Sequence, residues 1–229
     1  MPSDPVTLKG IILKTSEYKE KDRMISVLTR DMGIVSICVK GVSGKKSRNS
    51  FAAVPFSYCD FVVSDSHGFY YLKEGNVISG NTGIMDSLEA MAVAGHISEC
   101  LCYTVMQSEN SRDAYELAIY AYYALSSDPS SYLNVLVVFN WKLMWVLGLA
   151  SQASECVSSS GEKHPVSKRI LGILDFIGTN PESKAFAMKL EEEDIKVLRG
   201  LTLDYLRVQL EKDIPDPVLK LNLPVIGEK

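Results

Sequence analysis

Five short β-prone runs crowd into the first 80 residues, and after them the pattern changes. The runs are Leu8–Leu13, Met24–Thr29, Gly33–Val39, Tyr58–Val63 and Phe69–Leu72. They are bounded by turn signals. Arg30-Asp31-Met32-Gly33 marks a tight hairpin between the second and third, and Ser66-His67-Gly68 joins the fourth to the fifth. Between the third and fourth lies a longer polar loop, Lys40 to Arg48. A sheet this small must hide its edges, and closure into a barrel removes them. A small closed barrel is therefore expected, and an SH3-like barrel fits the strand count as well.

From Asn81 onward the hydrophobic period is helical. Asp86 is placed to cap a helix, with Glu89 as its capping-box partner, and the helix runs toward Met106. A second helix is predicted over Asp113–Leu125. Asp128-Pro129 starts a third, which ends near Leu147 with Gly148 as its stop. Two more follow, at Ser167–Ile177 and from Glu192 to about Leu210, with Pro215 and Pro217 beyond. The plan is a β-barrel domain over residues 1–80 and an all-α domain over 81–229. The boundary falls in the turn-rich Gly80-Asn81-Thr82-Gly83.

Composition excludes several classes. Of 229 residues, 46% are hydrophobic and 23% charged, which rules out wholesale disorder and collagen. The most apolar stretch, Tyr132 to Ala150, is interrupted by Asn134, Asn140 and Lys142, so it reads as a buried core helix and not a membrane span. The start lacks a secretory pattern, and the cysteines number five, an odd count. A cytoplasmic protein with free thiols is expected.

A catalytic search returns little. Glycine-loop, nucleophile-elbow and zinc-protease motifs are all missing from the sequence. His67 falls in a predicted turn. His96 and Cys100 share a helix face, which gives two ligands at best and reads as a structural pair. Cys100 and Cys102 point to different faces, which is wrong for a redox dithiol. The acidic run Glu191 to Asp194 suits the positive end of a helix dipole. No enzyme activity and no cofactor is expected.

The charge is uneven. Formal net charge is −4, yet residues 1–80 carry 11 Lys/Arg against 8 Asp/Glu. Lys40, Lys45, Lys46 and Arg48 lie within nine residues that contain no acid. Such a loop can bind phosphates by releasing counterions. Phe51, Phe56, Tyr58, Phe69, Tyr70 and Tyr71 lie nearby and can offer stacking faces. A strand period of two lets only some of them point outward, and adjacent Tyr70 and Tyr71 must face opposite ways.

Several stretches resemble the bacterial DNA repair and recombination mediator family RecO. They are Gly10 to Tyr18, Asp22-Arg23-Met24, Leu28 to Gly33, Val39-Lys40-Gly41 with its basic loop, and Gly68 to Glu74. Looser likeness continues through Phe139–Leu149 and Leu203–Leu210. The resemblance implies an OB-fold barrel followed by a helical domain. It implies a nucleoid-associated protein that binds single- and double-stranded DNA and anneals complementary strands. The implied partners are RecR, the single-stranded-DNA-binding protein and, indirectly, RecA. Lys40, Lys45, Lys46 and Arg48 match the family's basic loop, and Lys14, Lys21 and Arg23 lie in its opening motif. All seven are candidate phosphate contacts, although Glu20 and Asp22 flank Lys21 and Arg23 and can pair with them locally. On the helices, Lys142, Arg199 and Arg207 are basic residues that an acidic partner tail would require.

The sequence departs from the family in one place. Many relatives carry a four-cysteine zinc module that opens C-x-x-C. Here that region, residues 151–166, reads Cys156-Val157-Ser158-Ser159, and only His164 follows as a further soft ligand. Structural zinc needs four ligands. No zinc and a short loop are expected there. The alternative function is a protein–protein adaptor whose barrel does not bind DNA.

Overall fold

The computed structural model describes residues 5–42, 49–66, 69–105, 111–150, 155–157 and 163–222. Five strands form a closed barrel: β1 (Val6–Glu17), β2 (Arg23–Thr29), β3 (Gly33–Val39), β4 (Tyr58–Ser66) and β5 (Phe69–Ser79). Their order around the barrel is β1-β2-β3-β5-β4. β3 and β5 pair in parallel at Ile37↔Tyr70 and Cys38↔Tyr71, and β1 closes on β4 through Val6↔Val63 to Ile11↔Tyr58. The barrel is of OB type, which settles the choice left open by strand count. β1 approaches β2 closely at Gly10. A methyl group there would lie 2.4 Å from Val27 Cγ1 and 2.6 Å from the Leu28 carbonyl oxygen.

The helical part comprises α1 (Leu88–Thr104), α2 (Ser111–Ser127), α3 (Tyr132–Val146), α4 (Lys168–Thr179), α5 (Glu182–Ala187) and α6 (Glu192–Leu210). The cap of α1 is Ser87, not Asp86: its hydroxyl accepts the Ala90 N–H at 3.1 Å and donates to Glu89. Asp86 instead ends a 3₁₀ turn, Thr82–Asp86, while Ser87 has the extended backbone a cap needs. Asp128 caps a 3₁₀ turn, Pro129–Ser131, and α3 starts one turn later than expected. Met106, where the first helix was expected to end, lies outside the described residues. The short α5 was not expected. Nor was the two-stranded hairpin β6 (Glu155–Val157) and β7 (Lys163–Pro165), which stands where the sequence predicts a short loop. No helix among the described residues is long and apolar enough to cross a membrane.

Two apolar cores result. One fills the barrel with Ile12, Ile25, Val27, Ile37, Phe61 and Val63. The other lies among the helices around Trp141, Phe139 and Tyr122, and it reaches out to Ile11, Leu13, Leu28 and Phe56 of the barrel. β1 is apolar on both faces for this reason: Ile12 points into the barrel while Ile11, opposite Leu28, points at the helices. The Phe56 ring stacks on Tyr122 with centroids 5.4 Å apart, and the Tyr115 hydroxyl donates to Tyr58 at 3.0 Å. Barrel and helices thus share one interface on one side of the barrel, and away from it Lys14, Ser16, Ser36 and Lys40 are exposed.

Candidate nucleic-acid interface

The strand registers set out what the open wall carries. Lys14 on β1 lies opposite Ser26 on β2, which lies opposite Ser36 on β3. In the next outward row Ser16 pairs with Met24, Met24 with Cys38, and Cys38 with Tyr71 on β5. Lys40 follows two residues after Cys38, and its Nζ sits 5.4 Å from the Tyr71 ring centroid. The stripe carries serines, Met24, the buried Cys38, Tyr71 and two lysines, and it holds no acid. Small side chains let a ligand approach the sheet closely, and Tyr71 presents a ring beside the ammonium group of Lys40.

At one end the stripe meets the β1–β2 connection, residues 18–22. Two of its hydrogen bonds are internal: the Tyr18 N–H donates to the Asp22 carbonyl and the Asp22 N–H to the Lys19 carbonyl, both at 3.2 Å. This connection is joined to the turn after β3. The Val42 N–H donates to the Lys21 carbonyl at 2.8 Å, and the Gly41 N–H to Asp22 Oδ1 at 3.0 Å. Gly41 has φ +68°, which favours glycine. Cys38 forms the floor beneath these groups. Burial pushes its thiol up, as does the Asp22 carboxylate, while Lys40 and Lys19 pull it back.

The structure sorts the predicted contacts. Lys14, Lys21 and Lys40 are exposed and make no ion pair among the described residues. Lys14 also lies near α1, where its charge favours the Cys102 thiolate against the burial that raises that thiol. Arg23 is different. It belongs to the Glu17–Arg23–Val39 row, is bound to Glu17 at 3.1 Å, and has a side chain only 22% exposed. Lys45, Lys46 and Arg48 lie outside the described residues. Of the six aromatics, Phe69 and Tyr71 face outward. Phe51 and Tyr70 pack on the barrel core, and Phe56 and Tyr58 pack on the helices, so these four are not stacking faces. Lys19 and Asp22 were missed. The signal that marks them is position alone, between two strands whose registers bring the chain back beside Lys40.

Two family models match the chain. One, described as the N-terminal part of recombination protein O, covers residues 1–81; the other, described as its C-terminal part, covers residues 85–216. The chain belongs to the recombination protein O family. Among its relatives is the DNA repair protein RecO of Clostridium perfringens, 26% identical over 148 residues, which are 65% of this chain and 60% of that protein. The DNA repair protein RecO of Bacillus subtilis is 25% identical over 151 residues, 65% of this chain and 58% of that one. That of Lactobacillus acidophilus is 27% identical over 157 residues, 68% and 62%. The chain thus spans about three-fifths of the length of these relatives.

In the helical part of this family member, Lys142, Arg199 and Arg207 are engaged within the chain. Lys142, on α3, is 7% exposed; its Nζ donates to the carbonyls of Gly178 and Asn180 and lies 3.6 Å from Glu182. It closes the C-terminal end of α4, where carbonyls lack helical partners. Arg199 holds Asp216 in two bonds of 2.9 and 2.6 Å, and Arg207 holds Asp204 and the Ile214 carbonyl. All three are thus bonded within the chain, Lys142 buried and Arg199 and Arg207 part-buried. The His96 ring bonds Asn140 Oδ1 at 2.7 Å and lies 3.6 Å from the Cys100 sulfur, inside the helical core. Burial pushes the His96 imidazole down and the Cys100 thiol up. In residues 151–166 the backbones of Cys156 and His164 pair across the β6–β7 hairpin. These two are its only cysteine and histidine, two ligands short of a structural zinc set. Among the described residues no group of three metal-binding side chains gathers.

Proposed function

We propose that the chain is a non-catalytic, DNA-binding recombination mediator that acts in DNA repair. The observation that carries this reading is the acid-free stripe from Lys14 to Lys40 on the open wall of an OB-type barrel. In OB folds that wall, with the β1–β2 and β4–β5 loops, is where oligonucleotides bind. Family membership supports the same reading. Lys14, Lys21 and Lys40, joined by Lys45, Lys46 and Arg48, neutralise phosphates without choosing sequence. Arg23 contributes only if it exchanges Glu17 for a phosphate. Tyr71 and Phe69 stack on bases, which tolerates any sequence. Partial neutralisation of two strands held close promotes annealing. With RecR, the protein helps place RecA on DNA coated by the single-stranded-DNA-binding protein.

The test is fluorescence anisotropy with a labelled single-stranded oligonucleotide at several salt concentrations. Wild type is compared with a Lys40/Lys45/Lys46/Arg48→Ala variant of confirmed fold. The variant binds more weakly. Its log–log salt slope is shallower by up to about 2.8, at about 0.7 for each lost single-strand phosphate contact. Unchanged binding in the variant moves the DNA site off this loop. No binding by wild type at low salt, with RecR binding intact, establishes the adaptor function instead.

A further inference from the structure

We propose that Asp22 is a positioning residue that holds the two basic segments of the barrel wall in one arrangement. The inference rests on the reading that DNA follows this wall. Asp22 is an acid set among Lys19, Lys21 and Lys40. On electrostatics alone it opposes a polyanion, because it returns negative charge to the surface that phosphates must approach. Its carboxylate is nonetheless committed to a specific bond. Oδ1 accepts the Gly41 N–H at 3.0 Å, between residues 19 apart in sequence. The neighbouring bond from the Val42 N–H to the Lys21 carbonyl, at 2.8 Å, closes the same junction. Two further bonds within residues 18–22 make the connection a compact turn around Asp22.

These bonds make one unit of the loop that bears Lys19 and Lys21 and the strand exit that bears Lys40. Lys40 is set against Tyr71, so the unit is also referenced to β5. Long lysine side chains and their loops lose conformational freedom when they grip a ligand, and a pre-formed arrangement cuts that loss. Asp22 therefore favours binding through geometry while opposing it through charge. The two effects have opposite signs, and two substitutions separate them. Asp22→Asn removes the charge and keeps an oxygen acceptor for Gly41. Asp22→Ala removes both.

The experiment measures anisotropy of a labelled oligothymidylate with four full-length proteins: wild type, Asp22→Asn, Asp22→Ala and Lys40→Ala. Amide exchange at Gly41 is followed in parallel, and tryptophan fluorescence unfolding confirms each fold. Asp22→Asn binds at least as tightly as wild type. Asp22→Ala binds about 3- to 10-fold more weakly than Asp22→Asn, the size of one net hydrogen bond. The Gly41 amide exchanges faster in Asp22→Ala than in Asp22→Asn. Equal affinities for the two Asp22 variants, or an Asp22→Ala tighter than wild type, overturn the positioning role when Lys40→Ala is weakened. Wild-type affinity in Lys40→Ala overturns the interface reading itself.

Discussion

Phe56→Ala tests whether the barrel and the helices are one cooperative unit. Phe56 lies in the connection before β4, is 7% exposed, and inserts into the helical core against Tyr122. Its backbone is fixed from both sides: its N–H donates to the Ile12 carbonyl at 2.7 Å and its carbonyl accepts from Asn81 Nδ2 at 2.8 Å. The loop therefore cannot collapse into the space left by the ring. Loss of a buried phenyl of this kind costs about 3–5 kcal/mol, of which the ring pair with Tyr122 accounts for about 1. In a chain of this length that lowers the midpoint by on the order of 10 °C. The φ of Phe56 is +67°, and alanine keeps that strain. Phe56→Gly relieves about 1 kcal/mol of it. The glycine variant should therefore match or exceed the alanine variant, against the usual order of the two residues. Urea unfolding read by tryptophan fluorescence is the assay, because Trp141 and Trp145, the only two tryptophans, both sit on α3. A substitution in the barrel must then shift a signal from the helices. A tryptophan transition within about 1 kcal/mol of wild type, together with faster amide exchange confined to β1–β3, would refute the reasoning.

Two further outcomes are expected. Lys142→Met leaves the Gly178 and Asn180 carbonyls and the Glu182 carboxylate without their ammonium partner, and should cost about 3 kcal/mol in urea unfolding; a loss below about 1 kcal/mol would mean that water replaces it freely. Burial opposes ionisation of Asp216, yet Arg199 and the Val218 and Leu219 amides outweigh it and hold the carboxyl below its ordinary value. A folded-state pKa below the unfolded one gives stability that is fully present above about pH 4 and lost as pH falls through the folded value. The stability advantage of wild type over Asp216→Asn should hold between pH 7 and 5 and shrink steadily as pH falls below about 4; an advantage that does not shrink on acidification would rule out this origin.

The barrel strands were legible because their signal is local. Each is a short β-prone run, and tight-turn signals join the second to the third and the fourth to the fifth. The closure pattern was not legible. The parallel contact of β3 with β5 rests on two residue pairs, Ile37↔Tyr70 and Cys38↔Tyr71, more than thirty residues apart in sequence, and no turn records it. The extra length of β1 was hidden by its irregularity between Ile12 and Lys14, where Leu13 is an extra residue and the alternation breaks, so that Leu13 and Lys14 both point away from the barrel core. Ser87 and Asp86 are both good caps by residue type. Backbone geometry decides between them, and that geometry is imposed by the 3₁₀ turn packed before it. The helix α5 is six residues long, too short to show a period.

The candidate site was legible in its sign and not in its membership. A count of charges identifies a basic half of the chain, but whether a basic side chain is available depends on register and burial. Arg23 and Lys21 are two apart in sequence and look equivalent. Register places Arg23 directly across from Glu17, and the pair forms. Lys21 engages Val42 through its backbone carbonyl, and its side chain is exposed and makes no ion pair among the described residues. The same rule separates the two halves of the molecule. On the helices, Lys142 is drawn onto helix-end carbonyls and Arg199 onto Asp216, because a buried charge must be paired. On the barrel wall, Lys14 and Lys40 are exposed and make no ion pair among the described residues. A lysine left unpaired there adds little to the fold. Its removal should therefore leave stability within about 0.5 kcal/mol while changing the salt dependence of DNA binding, and that contrast separates a ligand contact from a structural charge.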